Sequence, residues 1–146
     1  MDTKIKDFLS QNKLLCWAMQ DDGGVWCANA FYAFDELNLS LIIASHTDTR
    51  HIKLAQKNPL VSVNVAKFSA IAFLKGVQIK ALCEKASKAQ EKLYYARFPF
   101  AKVMKGQCFA LNIRYAKFTD NALGKKLEFK AAQSDEWNFA PLKNLS

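Results

Sequence analysis

A hairpin turn is encoded by the sequence Asp-Asp-Gly-Gly at 21–24, which lies between two apolar runs. Aspartate and glycine tolerate the positive φ angles that tight hairpin turns need, so the flanking runs are expected to pair as antiparallel strands. We therefore predict strands over 14–19 and 25–34. A second turn over 35–38 and a third strand over 39–45 complete an antiparallel meander.

The rest of the chain continues this pattern of short strands with few helices. Ile5, Phe8 and Leu9 have the spacing of one helical face, which predicts a first helix within 1–12. A second helix is predicted over 50–57, because the Asn-Pro pair that follows it does not continue a helix. Further strands are predicted over 60–66, 71–83, 107–118 and 126–131.

A third helix is predicted after Ser87. Ser87 and Gln90 have the spacing of a capping box, in which each side chain bonds to the backbone N–H of the other residue. The apolar face of this helix is predicted to consist of Ala89, Leu93 and Ala96.

These elements, about seven strands and three helices, indicate the fold class. Helices that do not alternate one for one with strands disfavour a doubly wound α/β sheet. A closed or nearly closed antiparallel barrel with peripheral helices fits best, so we predict a mainly β protein. The 146 residues suit a single domain over 1–146, with the first helix within 1–12 and a C-terminal tail over 133–146.

Composition limits the classes of function. The four cysteines lack C-x-x-C spacing and only two histidines accompany them, so we expect reduced thiols and no metal site. The first dozen residues are too polar for a signal peptide, and no apolar stretch approaches the roughly 20 residues of a membrane span. We therefore expect a cytoplasmic protein.

The net charge of +8 admits a nucleic acid or an anionic small molecule as partner, but the lysines are scattered and no common nucleic-acid-binding motif is present.

The segment 45–53 is the richest in groups that bind anions. It lies between a predicted strand and a predicted helix, where free N–H groups and the helix dipole attract negative charge. Arg50 can bind a phosphate through two parallel hydrogen bonds, and the hydroxyls of Ser45, Thr47 and Thr49 can donate further bonds. The alternative is an ordinary helix start, with Thr49 as its N-cap and the basic side chains in solvent.

A second candidate segment lies in the long strand predicted over 71–83. The polar residues Lys75 and Gln78 interrupt an otherwise apolar run, and Gly76 between them allows a β-bulge or the close approach of a ligand. The alternative is an ordinary barrel strand whose polar side chains face water.

A third candidate segment covers 28–34. Its small residues, among them Ala28 and Ala30, leave room beside the strand for a flat aromatic ligand that lies against the backbone. The alternative is core packing, which we expect for Phe31 and Phe34 whatever the function.

The order and spacing of these features resemble the pyridoxamine 5'-phosphate oxidase-like flavin-binding split barrels. The matching features are a meander, a hydroxyl-rich turn with Thr49 and His51, the pair Asn58-Pro59, a strand, and the segment Lys75-Gly76-Val77-Gln78. Segments 31–35 and 119–126 are similar to one small bacterial branch of that family, the YhbP-type proteins. The resemblance covers most of residues 5–130.

The resemblance implies a homodimer with one FMN at each subunit interface. It implies phosphate binding by the turn after the third strand and the start of the next helix, here Ser45, Thr47, Thr49, Arg50 and His51. It also implies that Lys75, Gly76 and Gln78 reach the phosphate or the flavin edge, and that the backbone of Ala28, Asn29 and Ala30 borders the ring.

The function implied is that of an FMN-dependent oxidoreductase acting on an unidentified small molecule. The flavin carries the redox chemistry and the protein supplies position and electrostatics, so we assign no catalytic acid or base. The strands lack the fuller arginine set of the true pyridoxamine phosphate oxidases, and that specific reaction is not expected. The alternatives are a flavin- or haem-binding protein without turnover and, less favoured, a nucleic-acid-binding module.

Overall fold

Seven strands form one antiparallel sheet in the computed structural model, which describes residues 1–131. The elements in chain order are α1 (Thr3–Gln11), β1 (Leu14–Asp21), β2 (Gly24–Asp35), β3 (Ser40–Ser45), α2 (Arg50–Lys57), β4 (Leu60–Lys67), β5 (Lys75–Lys85), α3 (Lys88–Arg97), β6 (Gln107–Asp120) and β7 (Lys125–Lys130). Short 3-10 helices cover Ile71–Phe73 and Pro99–Met104. Among the described helices, none is long and apolar enough to cross a membrane. The tail predicted over 133–146 lies outside the described residues.

Six of the strands close into a barrel. They follow the order β3-β2-β1-β4-β5-β6, and β3 also pairs with β6, from Ser40 opposite Asn112 to Ser45 opposite Gln107. The second half of β6 pairs with β7 outside the closed ring. The predicted fold class, a mainly β antiparallel barrel with few helices, is confirmed.

The barrel is split between β2 and β3. The two strands pair only from Tyr32 opposite Ile43 to Asp35 opposite Ser40, whereas β2 pairs with β1 along its first eight residues, Gly24 to Phe31. Within residues 1–131, no strand pairs with that first part of β2 on the side away from β1. One stretch of β2 therefore presents an open edge.

The barrel interior holds the main core, and a helix closes each end. Alternate residues of every strand point inward, with Trp17 and Val65 almost fully buried. α1 buries one apolar face at the end where β1 starts, and its Phe8 packs against Phe118 with ring centroids 5.5 Å apart. α2 buries Ile52 and Ala55 and is joined to the hairpin at the end of β1 by polar contacts. Each fully buried side chain of this size stabilises the fold by roughly 1.5–3 kcal/mol.

Polar contacts attach α3 to the outside of the barrel. The capping box of Ser87 and Gln90 forms as predicted. The Gln90 side chain also donates a 2.9 Å hydrogen bond to the buried carboxylate of Asp35 in β2. At the other end of α3, the Arg97 guanidinium donates to three backbone carbonyls, those of Tyr32, Ser10 and Asn12. Arg97 thus joins α3, β2 and the end of α1.

Two sequence predictions are wrong in detail. The strand predicted over 71–83 starts only at Lys75, because β4 ends at its partner Lys67 and the intervening chain turns through the 3-10 helix Ile71–Phe73. The apolar face predicted for α3, Ala89, Leu93 and Ala96, is exposed. Gln90 and Tyr94 are buried instead, because Asp35 binds the Gln90 amide and Tyr94 packs in a small cluster on the outer face of the sheet.

Arg97→Ala is expected to lower the free energy of unfolding by about 2 kcal/mol, because it removes a charged donor from three carbonyls, two of which bind it in partly buried surroundings. The measurement is urea unfolding followed by circular dichroism. Lys92→Ala, on the exposed side of the same helix, is the matched control and should change stability by less than about 0.5 kcal/mol. Equal effects of the two substitutions would contradict the proposed role of Arg97.

Candidate functional site

The open edge of β2 exposes backbone hydrogen-bonding groups. The N–H of Tyr32 donates to the carbonyl of Lys13, 2.8 Å away, so the groups of Tyr32 face β1. Backbone groups of an antiparallel strand point alternately to one side and the other. Those of Phe31, Asn29 and Cys27 therefore face away from β1. The edge thus offers alternating N–H donors and C=O acceptors to any planar group beside it.

The turn after β3 gathers two hydroxyls and an imidazole. The hydroxyl of Ser45 lies 2.8 Å from Nε2 of His51 and 3.3 Å from the hydroxyl of Thr49. Gly106 makes this arrangement possible, since a Cβ on it would lie 3.2 Å from the carbonyl group of Ser45. The structure therefore brings together three of the five residues predicted to bind a phosphate.

The start of α2 has unpaired N–H groups beside this cluster. Thr49 is the N-cap residue, but its hydroxyl makes no capping bond and donates instead to the carbonyl of His46, 2.9 Å away. The first hydrogen bond back into the helix start comes from the N–H of Lys53. Within the described part of the chain, the N–H groups of Arg50, His51 and Ile52 have no acceptor. Such a set of N–H groups favours an anion.

His51 takes part in this cluster as a neutral group. Its ring is half-buried and packs edge-on against the indole of Trp17, with ring centroids 5.6 Å apart. Burial lowers the pKa of the imidazole. At neutral pH His51 can therefore donate or accept one hydrogen bond at Nε2, but it brings no full positive charge to an anion.

Arg50 points away from the cluster. Its guanidinium forms an ion pair with Asp21 and stacks on the Trp26 ring, 4.6 Å from the ring centroid. The hydrogen bond from Arg50 lowers the pKa of the Asp21 carboxyl. Thr47 is exposed in the turn itself. The two remaining residues of the predicted phosphate site are thus close along the chain, but they are not directed at the Ser45 hydroxyl.

A groove of about 390 Å³ lies on the outer face of β1, β4, β5 and β6. Its polar lining comes from Asn64, Gln78, Lys80 and Tyr115, and burial lowers the pKa of the Lys80 ammonium. The strand register aligns Asn29, Cys16, Asn64 and Gln78 in one row across the face. Asn29 and Gln78, from two of the predicted segments, 28–30 and 75–78, therefore lie on the same row, with β1 and β4 between them.

Lys75 and Gly76 lie at the opposite end of β5 from the α2 turn. The Lys75 ammonium is 3.7 Å from the buried carboxylate of Asp120. The strand register is regular at Gly76, and the irregularity of β5 falls between Lys80 and Ala81. A Cβ on Gly76 would lie 3.4 Å from the Val65 carbonyl. Within one chain, these residues are not brought to the phosphate-binding candidates.

The segment 28–34 divides between the two faces of the sheet. The side chains of Ala28 and Ala30 pack against the core, so the outer face receives Asn29. Phe34 is buried, as expected, but Phe31 is 58% exposed and packs beside Phe98. The expectation of core packing for Phe31 is therefore wrong, because its position in β2 points outward.

Sequence reasoning missed the groove residues Asn64, Lys80 and Tyr115. A signal was available, since buried valines alternate with other residues in β4, and Gln78 and Lys80 alternate with the buried Val77, Ile79 and Ala81 in β5. Alternation identifies the outer face of each strand. The strand order of the barrel decides which strands are neighbours, and the pattern within a single strand does not reveal that order. The groove between the strands therefore could not be predicted.

Relatives with similar sequences cover nearly the whole chain. A UPF0306 protein of Campylobacter jejuni is 56% identical over 132 residues, covering 88% of this chain and 98% of the relative. The UPF0306 protein of Serratia proteamaculans is 38% identical over 126 residues, covering 83% and 88%. The UPF0306 protein YhbP of Salmonella paratyphi B is 34% identical over 134 residues, covering 87% and 91%. No protein-family model matches the chain.

Solved structures share the fold at low sequence identity. A haem-binding protein from Mycobacterium smegmatis has a TM-score of 0.73 at 12% identity, covering 89% of this chain and 59% of that one. An FAD-binding protein from Mesorhizobium loti has a TM-score of 0.68 at 19% identity, covering 78% and 88%. A Clostridium acetobutylicum protein of the pyridoxinephosphate oxidase family has a TM-score of 0.64 at 13% identity, covering 88% and 92%. These similarities establish the split-barrel fold.

The stability of the protein should decline below about pH 6.5, in part because of His51. Burial places the pKa of His51 in the folded state below its unfolded value, so the unfolded state binds the proton first as the pH falls. His51 therefore contributes full stability above the unfolded pKa and loses it as the pH drops through the folded pKa. Chemical denaturation at several pH values across this range gives the free energy of unfolding. Its decline with falling pH should be shallower for His51→Gln than for His46→Gln, the control that replaces the exposed histidine. Identical slopes would contradict this role of His51.

Proposed function

The chain belongs to the UPF0306 family, and from that premise we propose that it is a cytoplasmic FMN-binding protein that works as a homodimer. We further propose that it is an oxidoreductase acting on a small molecule. The observation that carries the proposal is that the open stretch of β2 contacts the helix start with the free N–H groups, since Arg50 at the start of α2 stacks on Trp26 in that stretch. The hydroxyls of Ser45 and Thr49 adjoin the same helix start. A planar hydrogen-bonding ring and a phosphate each find a matching surface there.

The β2 edge suits the polar end of a flavin. The pyrimidine part of the isoalloxazine ring presents one N–H donor flanked by two carbonyl acceptors. A strand edge presents the complementary alternation, here from the backbone of Cys27 and Asn29. We propose that the backbone over 28–30 borders the ring and that the inward direction of Ala28 and Ala30 keeps their side chains out of its way.

The α2 turn suits the phosphate. Free N–H groups at a helix start bind anions through direct hydrogen bonds and the helix dipole. Ser45, Thr49 and the neutral His51 add hydrogen-bonding groups, and Thr47 adds an exposed hydroxyl. We propose that Arg50 exchanges its exposed partner Asp21 for the phosphate when FMN binds, because an arginine–phosphate pair is the stronger, bidentate contact.

A second copy of the chain would bring its β5 residues to the α2 turn, because within one chain these two parts are separated. Lys75, Gly76 and Gln78 are remote from the α2 turn along the barrel, yet Gln78 lies in the outer groove. Two barrels packed through this outer face would bring β5 of one copy towards the α2 turn of the other. The half-open groove would then become a closed pocket at the interface.

The division of labour follows from these contacts. Bound FMN supplies the transfer of one or two electrons. The chain holds the ring against the β2 edge, anchors the phosphate at α2 and lines the open side of the groove with Lys80 and Tyr115. The substrate is proposed only as a small molecule that fits beside the ring.

The alternative functions predict different observations. A flavin- or haem-binding protein without turnover would have the absorption spectrum of its cofactor but would not oxidise NADH or NADPH. A nucleic-acid-binding module, suggested by the net charge of +8, would bind with an affinity that falls steeply as salt rises. The visible spectrum of the purified protein separates the cofactor-binding functions from the nucleic-acid-binding one.

The test of the proposal is a titration of the protein with FMN and with riboflavin, followed by flavin fluorescence. We expect micromolar or tighter FMN binding, with weaker riboflavin binding. Arg50→Ala should weaken FMN binding by about tenfold to a hundredfold, because it removes a charged phosphate ligand. The same substitution should hardly change riboflavin binding.

Asp21→Asn is the matched variant with the opposite expected sign. It releases Arg50 from its ion pair and should tighten FMN binding by roughly threefold without affecting riboflavin. Failure to bind at about 100 μM FMN, a free energy weaker than about −5.5 kcal/mol, would refute FMN binding. Unchanged FMN affinity in both variants would instead indicate that Arg50 does not bind the phosphate and that the α2 N–H groups and the hydroxyls bind it.

The protein should be a dimer at micromolar concentration, with an interface that buries more than about 1,000 Å². Ser62 is exposed in the outer groove, and Ser62→Arg places a bulky charge there. Light scattering should give the mass of a monomer for this variant and of a dimer for the natural chain. Gln11→Arg, at an exposed position of α1, should stay dimeric. A monomeric natural chain would contradict the proposed interface.

A further inference from the structure

Two of the four cysteines lie side by side on the outer face of the sheet. Cys16 in β1 is directly opposite Asn29, and Cys27 in β2 is directly opposite Ala18, so the two cysteines form a diagonal cross-strand pair. Burial raises the pKa of the Cys16 thiol, and the nearby Cys27 side chain raises it further. Cys27 is exposed and Cys16 is half-buried. The two thiols are thus close together, and that of Cys27 is accessible from solvent in the single chain.

The other two cysteines have different surroundings. Cys83 packs against the barrel core, and its burial raises the pKa of the thiol to about 12. Cys108 is buried beneath α3. Both are less exposed than Cys27, so they serve as internal controls for the reactivity of that thiol.

We propose that Cys16 and Cys27 form a redox-active dithiol, which a low-molecular-weight disulfide such as oxidised glutathione converts reversibly to an intramolecular disulfide. This activity goes beyond the proposed flavin function and does not require the cofactor. Because Cys27 lies on the β2 edge and Cys16 lines the outer groove, a bound flavin or a second copy of the chain would shield the pair from oxidised glutathione. This proposal modifies the expectation that all four cysteines are reduced thiols. Cys16 and Cys27 would be reduced thiols in a reducing environment and a disulfide in an oxidising one.

The strand geometry favours a reversible disulfide over a permanent one. Diagonal residues of an antiparallel pair have Cα atoms roughly 7–8 Å apart, whereas a disulfide needs a separation of at most about 6.8 Å. Closure must therefore draw β1 and β2 together locally. β2 can adjust, since its other edge is unpaired at Cys27. A disulfide formed with some strain and exposed to solvent is readily reduced.

The reaction is a pair of thiol–disulfide exchanges. The thiolate of Cys27 attacks one sulfur of oxidised glutathione, forms a mixed disulfide and releases one glutathione thiolate. The thiolate of Cys16 then attacks the Cys27 sulfur and releases the second glutathione. The two cysteine thiols lose two protons and two electrons in total, and one molecule of oxidised glutathione becomes two of reduced glutathione. Cys27 acts first because it is exposed, and Cys16 is held beside it to complete the exchange.

The test is equilibration of the purified full-length protein with glutathione buffers of increasing oxidised fraction. Acid quenching, alkylation of the remaining thiols and peptide mass spectrometry then identify the state of each cysteine. We expect the natural chain to acquire a link between the peptides of Cys16 and Cys27, which dithiothreitol reverses. Cys16→Ser should instead accumulate glutathione on Cys27, by at least tenfold over the natural chain. Cys83→Ser, the matched control, should form the same link as the natural chain.

Three results would overturn the proposal. One is a natural chain that carries glutathione on Cys27 without forming the internal link, and another is a link between the Cys27 residues of two copies. The third is equal reaction of Cys83 and Cys27. Because the mapping of the natural chain alone distinguishes these outcomes, the test does not depend on the folding of any variant. Repeating it with flavin removed and with added FMN separates a failure of the dithiol from a failure of flavin binding.

Discussion

The pairing of β3 with β6 closes the barrel, and the surroundings of the candidate site depend on it. β3 pairs with β6 over its whole length, but with β2 over only four residue pairs. Because the last residues of β3 run along β6, they leave the first part of β2 without a second partner strand. Unpaired backbone groups at an exposed edge remain available for other hydrogen bonds. The closure of the barrel therefore also leaves this stretch of β2 as an open edge.

The same closure fixes the position of the candidate anion-binding groups. β3 ends at Ser45, which pairs with the start of β6. Gly106, just before β6, allows these two segments of the chain to approach closely. The turn that follows leads directly into α2, whose buried Ile52 and Ala55 cover the end of the barrel. The burial of that helix face fixes its direction, and Arg50, the first residue of α2, stacks on Trp26 in the open stretch of β2. The hydrophobic closure of the barrel and the geometry of the polar site are thus consequences of the same packing.

The sequence was most informative where the controlling interactions are local. The bounds of α2, the capping box of α3 and the hairpin at 21–24 depend on neighbouring residues, and each was predicted correctly. The errors arose where distant residues decide the outcome. Leu93 has an apolar side chain but is exposed, because the bond between Asp35 and Gln90 sets the rotation of α3. The candidate segments were likewise identified as separate pieces of chain, whereas the row that joins Asn29 to Gln78 exists only through the strand order of the barrel.

The contact of Arg50 with Asp21 has the same long-range origin, and it bears on how the site could work. An exposed ion pair contributes little to stability, since water and salt screen it and two side chains lose freedom. Such a pair can nevertheless hold an arginine in a defined place, and stacking on Trp26 adds to that restraint. A phosphate at the start of α2 would therefore meet a cation that is held nearby at the hairpin and that has to leave Asp21 to reach it. Because the partner to be displaced is weakly bound, the exchange costs little, while a desolvated arginine–phosphate pair gains more. Together these energies favour an arginine that pairs with Asp21 when no anion is present and that exchanges this partner for the phosphate when one binds.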